Sequence, residues 1–493
     1  MRLVAAMLTP SQAKRQQVVF VGRVLWGGGA ERVTFDLAHS LNRSRFEPHV
    51  VHLFDLPECP IRYDPAIPVH PVEPVTRMLL AELLPPPPPE RPQPGWVQAG
   101  LRYYRLLDPS LRGRLALGAR LRGAYHRWKS LRATLAARRR PQPPAPPSAT
   151  TTPSPIQREM SRLLGPLADL WPQTLGLKRV LNRFDPDAIL VPIMEEAAVR
   201  VWLTQVFTRR RYIASLHSVE SFNLPLIYPD RERLADEEWL FSNACRSAEV
   251  VTVPSTGCRD DLSNHYGVPP ANVRVMVNPV ACDWIRQHAR APLPEPPAAG
   301  KTLFVQVARL DYDKNPDLLI DAADLLRRDM DDFVVLMLGK GSRRAELEAK
   351  IQARGLEAHV RLLGEVTNPY PFMAAARALV LTSRVESFAL VLLEAMLCGA
   401  VPISVDCPFG PREVLEGDRY GLLVRPDDPE ALAQAMLRIA RDEDLYQTLR
   451  ARGPERASRY DLAGVVREWE ALLDEVCAAR PPRPIASAAA PPA

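Results

Sequence analysis

The pattern that most limits the fold lies in the second half of the chain. Short apolar runs at 302–307, 333–338, 360–363, 378–382, 401–404 and 421–424 read as strands. Between the first of them, 316–326, 344–353 and 370–375 read as helices. Apolar runs this short are strands covered on both faces, and strands alternating with helices build a parallel sheet. The first half begins the same way. Residues 17–22 (QVVFVG) are a strand, Gly27, Gly28 and Gly29 a turn, 30–41 a helix and 49–54 the next strand. Strand, glycine turn, helix, strand is the opening of a doubly wound sheet. Further strands are expected at 188–192, 212–216, 249–253 and 273–277. The expected class is therefore α/β, with two Rossmann-like doubly wound domains facing across a cleft.

A chain of 493 residues is too long for one ordinary core and suits two domains with additions. Composition places the additions. The 51 prolines cluster, notably at Pro85–Pro89 and in 141–155 (PQPPAPPSATTTPSP), which reads as a flexible spacer. The expected organisation is a flexible N-terminus (1–16), an N-terminal domain over 17–290 with a Pro-rich and basic insert at 57–155, and a C-terminal domain over 298–455. A C-terminal helix (456–479) then packs back toward the N-terminal domain, and a disordered tail (480–493) follows. The net charge of +6 is carried by one segment: 102–140 holds twelve Arg or Lys against one Asp, so the remainder is mildly acidic. Seven cysteines are scattered singly with no CxxC pair, which argues against a zinc site or disulfide framework and fits a reducing cytoplasm. No apolar run reaches membrane-spanning length, and the N-terminal apolar stretch is too short for a secretory signal.

Doubly wound sheets bind ligands at the carboxyl ends of their strands. The first such loop of the second half, Val307 to Asn315, carries Arg309 and Lys314 just before a helix. Two cations at a helix N-terminus suit a diphosphate; on residue type alone a pair of solvated surface cations is the alternative. A second loop carries Glu386, followed by an apolar helix containing Glu394. An unpaired carboxylate there is costly, so Glu394 is expected to have a ligand, and a carboxylate facing vicinal hydroxyls is a usual ribose grip. The Gly339-Lys340-Gly341 turn suggests nucleotide contact only weakly.

Together these residues carry a resemblance. GGGAERV near the N-terminus, SLHS around His217, RLDYDKN, and the Glu386/Glu394 pair followed by AMLCGAVPI occur in order across the chain. In them the chain resembles family-four glycosyltransferases of the GT-B fold, which retain anomeric configuration and use no metal. GEVTNPYPFM and DCPFGPREVL look like the subgroup that transfers hexoses or N-acetylhexosamines from UDP-sugars. The resemblance implies roles. Arg309 and Lys314 would clamp the donor diphosphate, Glu394 the ribose hydroxyls, and Glu386 the donor sugar near its 3- and 4-hydroxyls. Backbone amides at Phe388, Ala389 and Leu390 would help hold the phosphates. Gly28 and Gly29 would let the backbone approach the diphosphate or acceptor, Gly339 would line the donor site, and His217 would hydrogen-bond the donor sugar. It implies no cofactor beyond the nucleotide-diphosphate sugar as co-substrate. Ser387 and Ala389 depart from the family pattern, which has glycine, or at 389 glycine or proline, there; this puts the donor-sugar preference in question.

The basic segment has its own reading. Leu121, Tyr125, Trp128, Leu131 and Leu135 share one helical stripe flanked by Arg120, Arg122, Arg127, Lys129 and Arg138. Residues 101–140 therefore suit an anionic membrane surface, and a solvated or core-packed helix suits them equally. No nucleic-acid motif accompanies the charge. The expected partners are a nucleotide sugar and a saccharide or lipid-linked acceptor, with the chain cytoplasmic or peripheral on the inner membrane face. The alternatives are a soluble transferase acting on a small sugar or sugar phosphate, and a catalytically degenerate scaffold.

Overall fold

A computed structural model describes residues 15–22, 29–53, 66–72, 167–205, 207, 209–293 and 300–479. The basic segment, the spacer, the C-terminal tail and Gly28 lie outside the described residues.

The N-terminal lobe holds β1 (Gln16–Gly22), α1 (Gly29–Ser40), β2 (Phe46–His52), β3 (Val69–Pro71), α2 (Leu167–Leu181), β4 (Ile189–Pro192) and α3 (Met194–Thr204). It continues with β5 (Ile213–Ser215), α4 (Glu220–Ile227), α5 (Arg231–Ser247), β6 (Val250–Val253), α6 (Thr256–Tyr266) and β7 (Val273–Val275). Its strands pair in the orders β3-β2-β1-β4 and β5-β6-β7, all parallel. Parallel bridges Leu190–Tyr212 and Ile193–Ser215 join the two sets. One correction belongs here. Proline-studded residues 57–97 gave no sign of a strand, yet β3 closes the sheet edge there. It is only three residues long and two of them are exposed, so it lacks the apolar run that marks the others.

After α7 (Cys282–His288) the C-terminal lobe runs through β8 (Thr302–Val307), α8 (Pro316–Leu326), β9 (Phe333–Leu338), α9 (Arg344–Ala353), β10 (Val360–Gly364), α10 (Tyr370–Ala375) and β11 (Ala378–Leu381). It ends with α11 (Leu390–Cys398), β12 (Val401–Val405), α12 (Pro411–Leu415), β13 (Leu422–Val424), α13 (Pro429–Arg441), α14 (Glu443–Ser458) and α15 (Leu462–Ala478). The order β10-β9-β8-β11-β12-β13 is the doubly wound arrangement whose direction reverses between β8 and β11. Every residue of β9 is buried, because helices cover both faces. Leu319, Ala322 and Leu326 of α8 fill one face and Leu392, Leu393 and Met396 of α11 the other.

The last helix leaves its own lobe. Val465, Trp469, Leu472 and Leu473 of α15 pack with Val18 and Phe20 of β1 and Leu37 of α1. Among the described residues, no helix is long and apolar enough to cross a membrane.

One glycine fixes the loop that follows β8. Gly339 ends β9 with φ +145, and a Cβ there would lie 1.9 Å from the Ala308 carbonyl oxygen. Backbone cannot step aside as a flexible side chain can. Gly339→Ala is expected to lose ~3 kcal/mol or more of stability, since strain and overlap combine. Thermal unfolding checks this, with an expected drop in melting temperature on the order of 10 °C.

Candidate functional site

The reversal between β8 and β11 leaves their outgoing loops side by side. Gln306 donates to Thr382 Oγ1 at 2.8 Å, and Thr382 donates on to the Lys314 carbonyl at 2.9 Å. The Arg384 amide donates to the Asp313 carbonyl at 2.8 Å. These bonds zip the Lys314 loop to the Glu386 loop. Lys314 Nζ then donates to Glu386 Oε1 at 2.7 Å, and Ser383 Oγ donates to the same oxygen at 2.6 Å. Burial alone lowers the Lys314 ammonium's affinity for its proton, but the Glu386 carboxylate outweighs it and holds the ammonium above its ordinary range.

The two predicted cations differ. The Lys314 side chain is 21% exposed and Arg309 62%. Arg309 donates to Asp311 at 2.6 Å and to Asp313 at 2.8 Å, so acidic neighbours occupy it. The Gly339–Gly341 turn sits beneath this loop: Leu310 donates to the Lys340 carbonyl, and the missing side chains of Gly339 and Gly341 make room for residues 308 and 310. Gly339 thus supports Arg309's loop from below.

Phe388 and Ala389 are buried. The Phe388 ring packs against Tyr460, with centroids 5.3 Å apart, which leaves only its backbone for a ligand. Ala389 takes a left-handed conformation (φ 67) at the start of α11, which explains why glycine suits this position. Leu390 lies against Gly29 of the other lobe, its Cδ1 3.9 Å from where a Cβ would sit.

His217 follows β5 at the cleft. Its Nδ1 meets Asn278 Oδ1 at 2.9 Å and its Nε2 meets Ser215 Oγ at 3.0 Å. With the amide oxygen as acceptor, Nδ1 carries the proton and Nε2 accepts from the serine. Both ring nitrogens are therefore held by protein. Its backbone carbonyl reaches across instead, accepting from Ser387 Oγ at 2.6 Å.

Glu394 is not left for a ligand alone. Its Oε1 accepts from Arg32 Nη1 of α1 and from Tyr370 Oη of α10, each at 3.1 Å. The costly unpaired charge is thus avoided by protein partners, a cross-cleft ion pair with Arg32 and a hydrogen bond from Tyr370. The structure thus brings Arg309, Lys314, Glu386, Ala389, Leu390 and Glu394 to one edge of the C-terminal lobe, with Gly29 and His217 facing them. Sequence reasoning missed Arg32, Tyr370, Asn278 and Ser387 as contact makers. Arg32 lies inside GGGAERV and Tyr370 inside GEVTNPYPFM, while Ser387 stood out only as a departure from the family pattern. Nothing local marks Asn278, which lies 61 residues from its histidine. Among the described residues, no group of three or more metal-ligating side chains is placed to hold an ion.

Two family models match the chain: "Glycosyltransferase Family 4" over residues 131–284 and "Glycosyl transferases group 1" over 292–456. The chain belongs to the GT-B glycosyltransferases of the family-four type. Among this family, a Campylobacter jejuni enzyme named as a diphospho-undecaprenol-linked 4-alpha-N-acetylgalactosaminyltransferase is 29% identical, covering 47% of this chain and 61% of that one. A phosphatidyl-myo-inositol mannosyltransferase of Mycolicibacterium smegmatis is 31% identical, covering 38% and 50%. The matches span less than two thirds of the first of these curated relatives' own length. Among solved structures, Anabaena HepE bound to UDP superposes with a TM-score of 0.61 at 17% identity, covering 93% of this chain and all of that one. TarM superposes with 0.62 at 12% identity, covering 95% and all of that chain. These likenesses show that this chain shares their fold.

His217 gives this site a pH signature. Burial pushes its imidazole down to about 4, against the opposing hydrogen bond to Asn278. A histidine kept neutral on folding contributes stability that is complete above its ordinary value near 6.5 and is lost as pH falls toward 4. Thermal melts between these limits should therefore show a declining acid limb, shallower in His217→Asn. Equal slopes for the two proteins would count against a buried neutral imidazole.

Proposed function

We propose that this protein is a retaining, metal-independent transferase. It moves a hexose or N-acetylhexosamine from a UDP-sugar to a lipid-linked or surface-glycan acceptor. The observation that carries this is the pairing of Lys314 with Glu386 at the strand reversal, beside Arg309 and opposite His217. A diphosphate placed there competes with Asp311 and Asp313 for Arg309, and its larger negative charge wins the guanidinium.

Cleaving the bond between the sugar's anomeric carbon and the β-phosphate oxygen places growing negative charge on the diphosphate. Cations already fixed there bind that charge more strongly in the transition state than in the ground state. Arg309 and Lys314 supply this field. Backbone N–H groups at the start of α11, which have no partner within the helix, add to it. Glu386, released from part of its hold on Lys314, takes the sugar hydroxyls, and Glu394 takes the ribose. The acceptor hydroxyl attacks from the side the diphosphate leaves and passes its proton to the departing phosphate oxygen, which keeps the anomeric configuration. His217 presents Nε2 to the sugar when Ser215 lets go.

UDP is favoured because the HepE fold relative is described in complex with UDP and with UDP-glucose. The lipid-linked acceptor is favoured because two relatives are named for diphospho-undecaprenol or PP-undecaprenol substrates. The basic segment at 101–140 suits docking near such an acceptor.

The test is turnover of UDP-N-acetylhexosamines and UDP-hexoses with polyprenyl-diphosphate saccharides by the full chain. Arg309→Ala and Lys314→Ala should each lower kcat/KM by about 10²–10³, the usual loss for one preorganised charge stabiliser. Unchanged turnover in both variants would remove the mechanism. Chelator treatment is expected to leave the rate within twofold, because protein cations replace the metal; a rate abolished by chelation and restored by a divalent ion would overturn metal independence alone.

A further inference from the structure

Arg32 sits in the first turns of α1 but makes its strongest contacts in the opposite lobe. Its Nη1 donates to Tyr370 Oη at 2.6 Å and to Glu394 Oε1 at 3.1 Å. Tyr370 Oη in turn donates to the same Oε1 at 3.1 Å. Both donors therefore converge on one carboxylate oxygen. Among the described residues, Glu394 Oε2 takes no hydrogen bond, and it is not sealed from the cleft as the fully buried, unpartnered atoms are. The guanidinium is fixed from its other sides as well. Its carbon lies 5.2 Å from the centre of the Trp284 ring, and its Nε is 3.9 Å from Asp36 Oδ2.

We infer that Arg32 and Tyr370 form a positioning pair that locks the plane of Glu394, so that its free oxygen meets the vicinal diol of the nucleotide ribose. A carboxylate on a glutamate stem rotates freely about its last bond. A diol is gripped well only when that plane is fixed before the ligand arrives, since the ordering cost is then already met. A charged donor on one oxygen does this and leaves the second for the ligand. Burial with Glu394 nearby keeps the Tyr370 hydroxyl protonated, as its donor role requires. Arg32 belongs to the N-terminal lobe and Glu394 to the C-terminal one. Ribose recognition is thus completed only when the two lobes are brought together, and residues that act through Glu394 set the preference for a ribonucleotide. The inference rests on the transferase reading given above.

The experiment compares UDP with 2′-deoxy-UDP, by calorimetry on the full chain, in wild type, Arg32→Met, Tyr370→Phe and Arg32→Lys. Wild type should bind UDP about tenfold more tightly, the size expected for one hydrogen bond to a charged group. In Arg32→Met and Tyr370→Phe this ratio should fall to about threefold or less, and Arg32→Lys should restore part of it. A merely structural Arg32 would weaken both ligands alike and leave the ratio unchanged; that result, in either folded variant, overturns the inference while leaving the transferase reading intact. Equal binding of the two nucleotides by wild type overturns it as well. Failure of wild type to bind UDP at all overturns the transferase reading and this inference with it.

Discussion

The ion pair between Lys314 and Glu386 depends on the topology of a whole lobe. The two residues stand 72 positions apart and meet at 2.7 Å because β8 and β11 are neighbours where the strand order reverses. Everything close by serves that meeting. The buried Thr382 hydroxyl joins the two loops, Asn315 turns the chain with a left-handed conformation into α8, and Gly339 lets the β9 turn press against the β8 loop. A half-buried ammonium beside a half-buried carboxylate is expensive to dismantle from one side, since the survivor keeps a charge with no partner. The same property makes the pair receptive. In the transfer proposed above, an arriving dianion would give the ammonium a second partner, and the carboxylate would turn part of its capacity to hydroxyls.

The sheet of the C-terminal lobe and the helices nearest it were legible in the sequence, whereas α12, α13 and α14 were not, and the helix expected over 456–479 begins only at Leu462 because α14 ends at Ser458. Strands 302–307 and 333–338 and helices 316–326, 344–353 and 370–375 have the bounds their apolar runs suggest, because both faces of that sheet are covered and a buried strand has to be apolar throughout. The N-terminal lobe was legible only where the same condition holds. β3 escaped because an edge strand with an exposed face needs little apolar character, and α2 because Pro172 lies inside it. The site divides along a similar line. Arg309, Lys314, Glu386 and Glu394 stand on loops and a helix whose place follows from strand order. Their partners do not. Asn278, Tyr370 and Arg32 are joined to the site only through tertiary contacts, and no periodicity or local spacing encodes a bond between segments far apart in the chain.

The lobes are linked by two chain crossings that lie side by side. Val280 donates to the Tyr460 carbonyl at 2.9 Å, and Leu462 donates to the Val280 carbonyl at 3.0 Å. The outgoing and returning chains thus form one short hydrogen-bonded ribbon, and α15 beyond it is anchored by Trp469 and Leu472 in the N-terminal core. Two adjacent crossings leave a pivot with few independent directions of motion, and such element ends absorb the dihedral changes of domain closure. Across the cleft, apolar contacts such as Leu390 against Gly29 stand beside hydrogen bonds of another kind. Arg32 to Glu394, Ser387 to the His217 carbonyl, and Thr256 to Glu413 at 2.7 Å are polar and each is made by a few atoms. Polar cross-cleft contacts exchange readily for water or ligand groups, whereas the apolar anchor of α15 does not. The architecture therefore places its apolar anchor at the pivot and its exchangeable hydrogen bonds at the mouth, where Glu394, the His217 carbonyl and Ser387 make them.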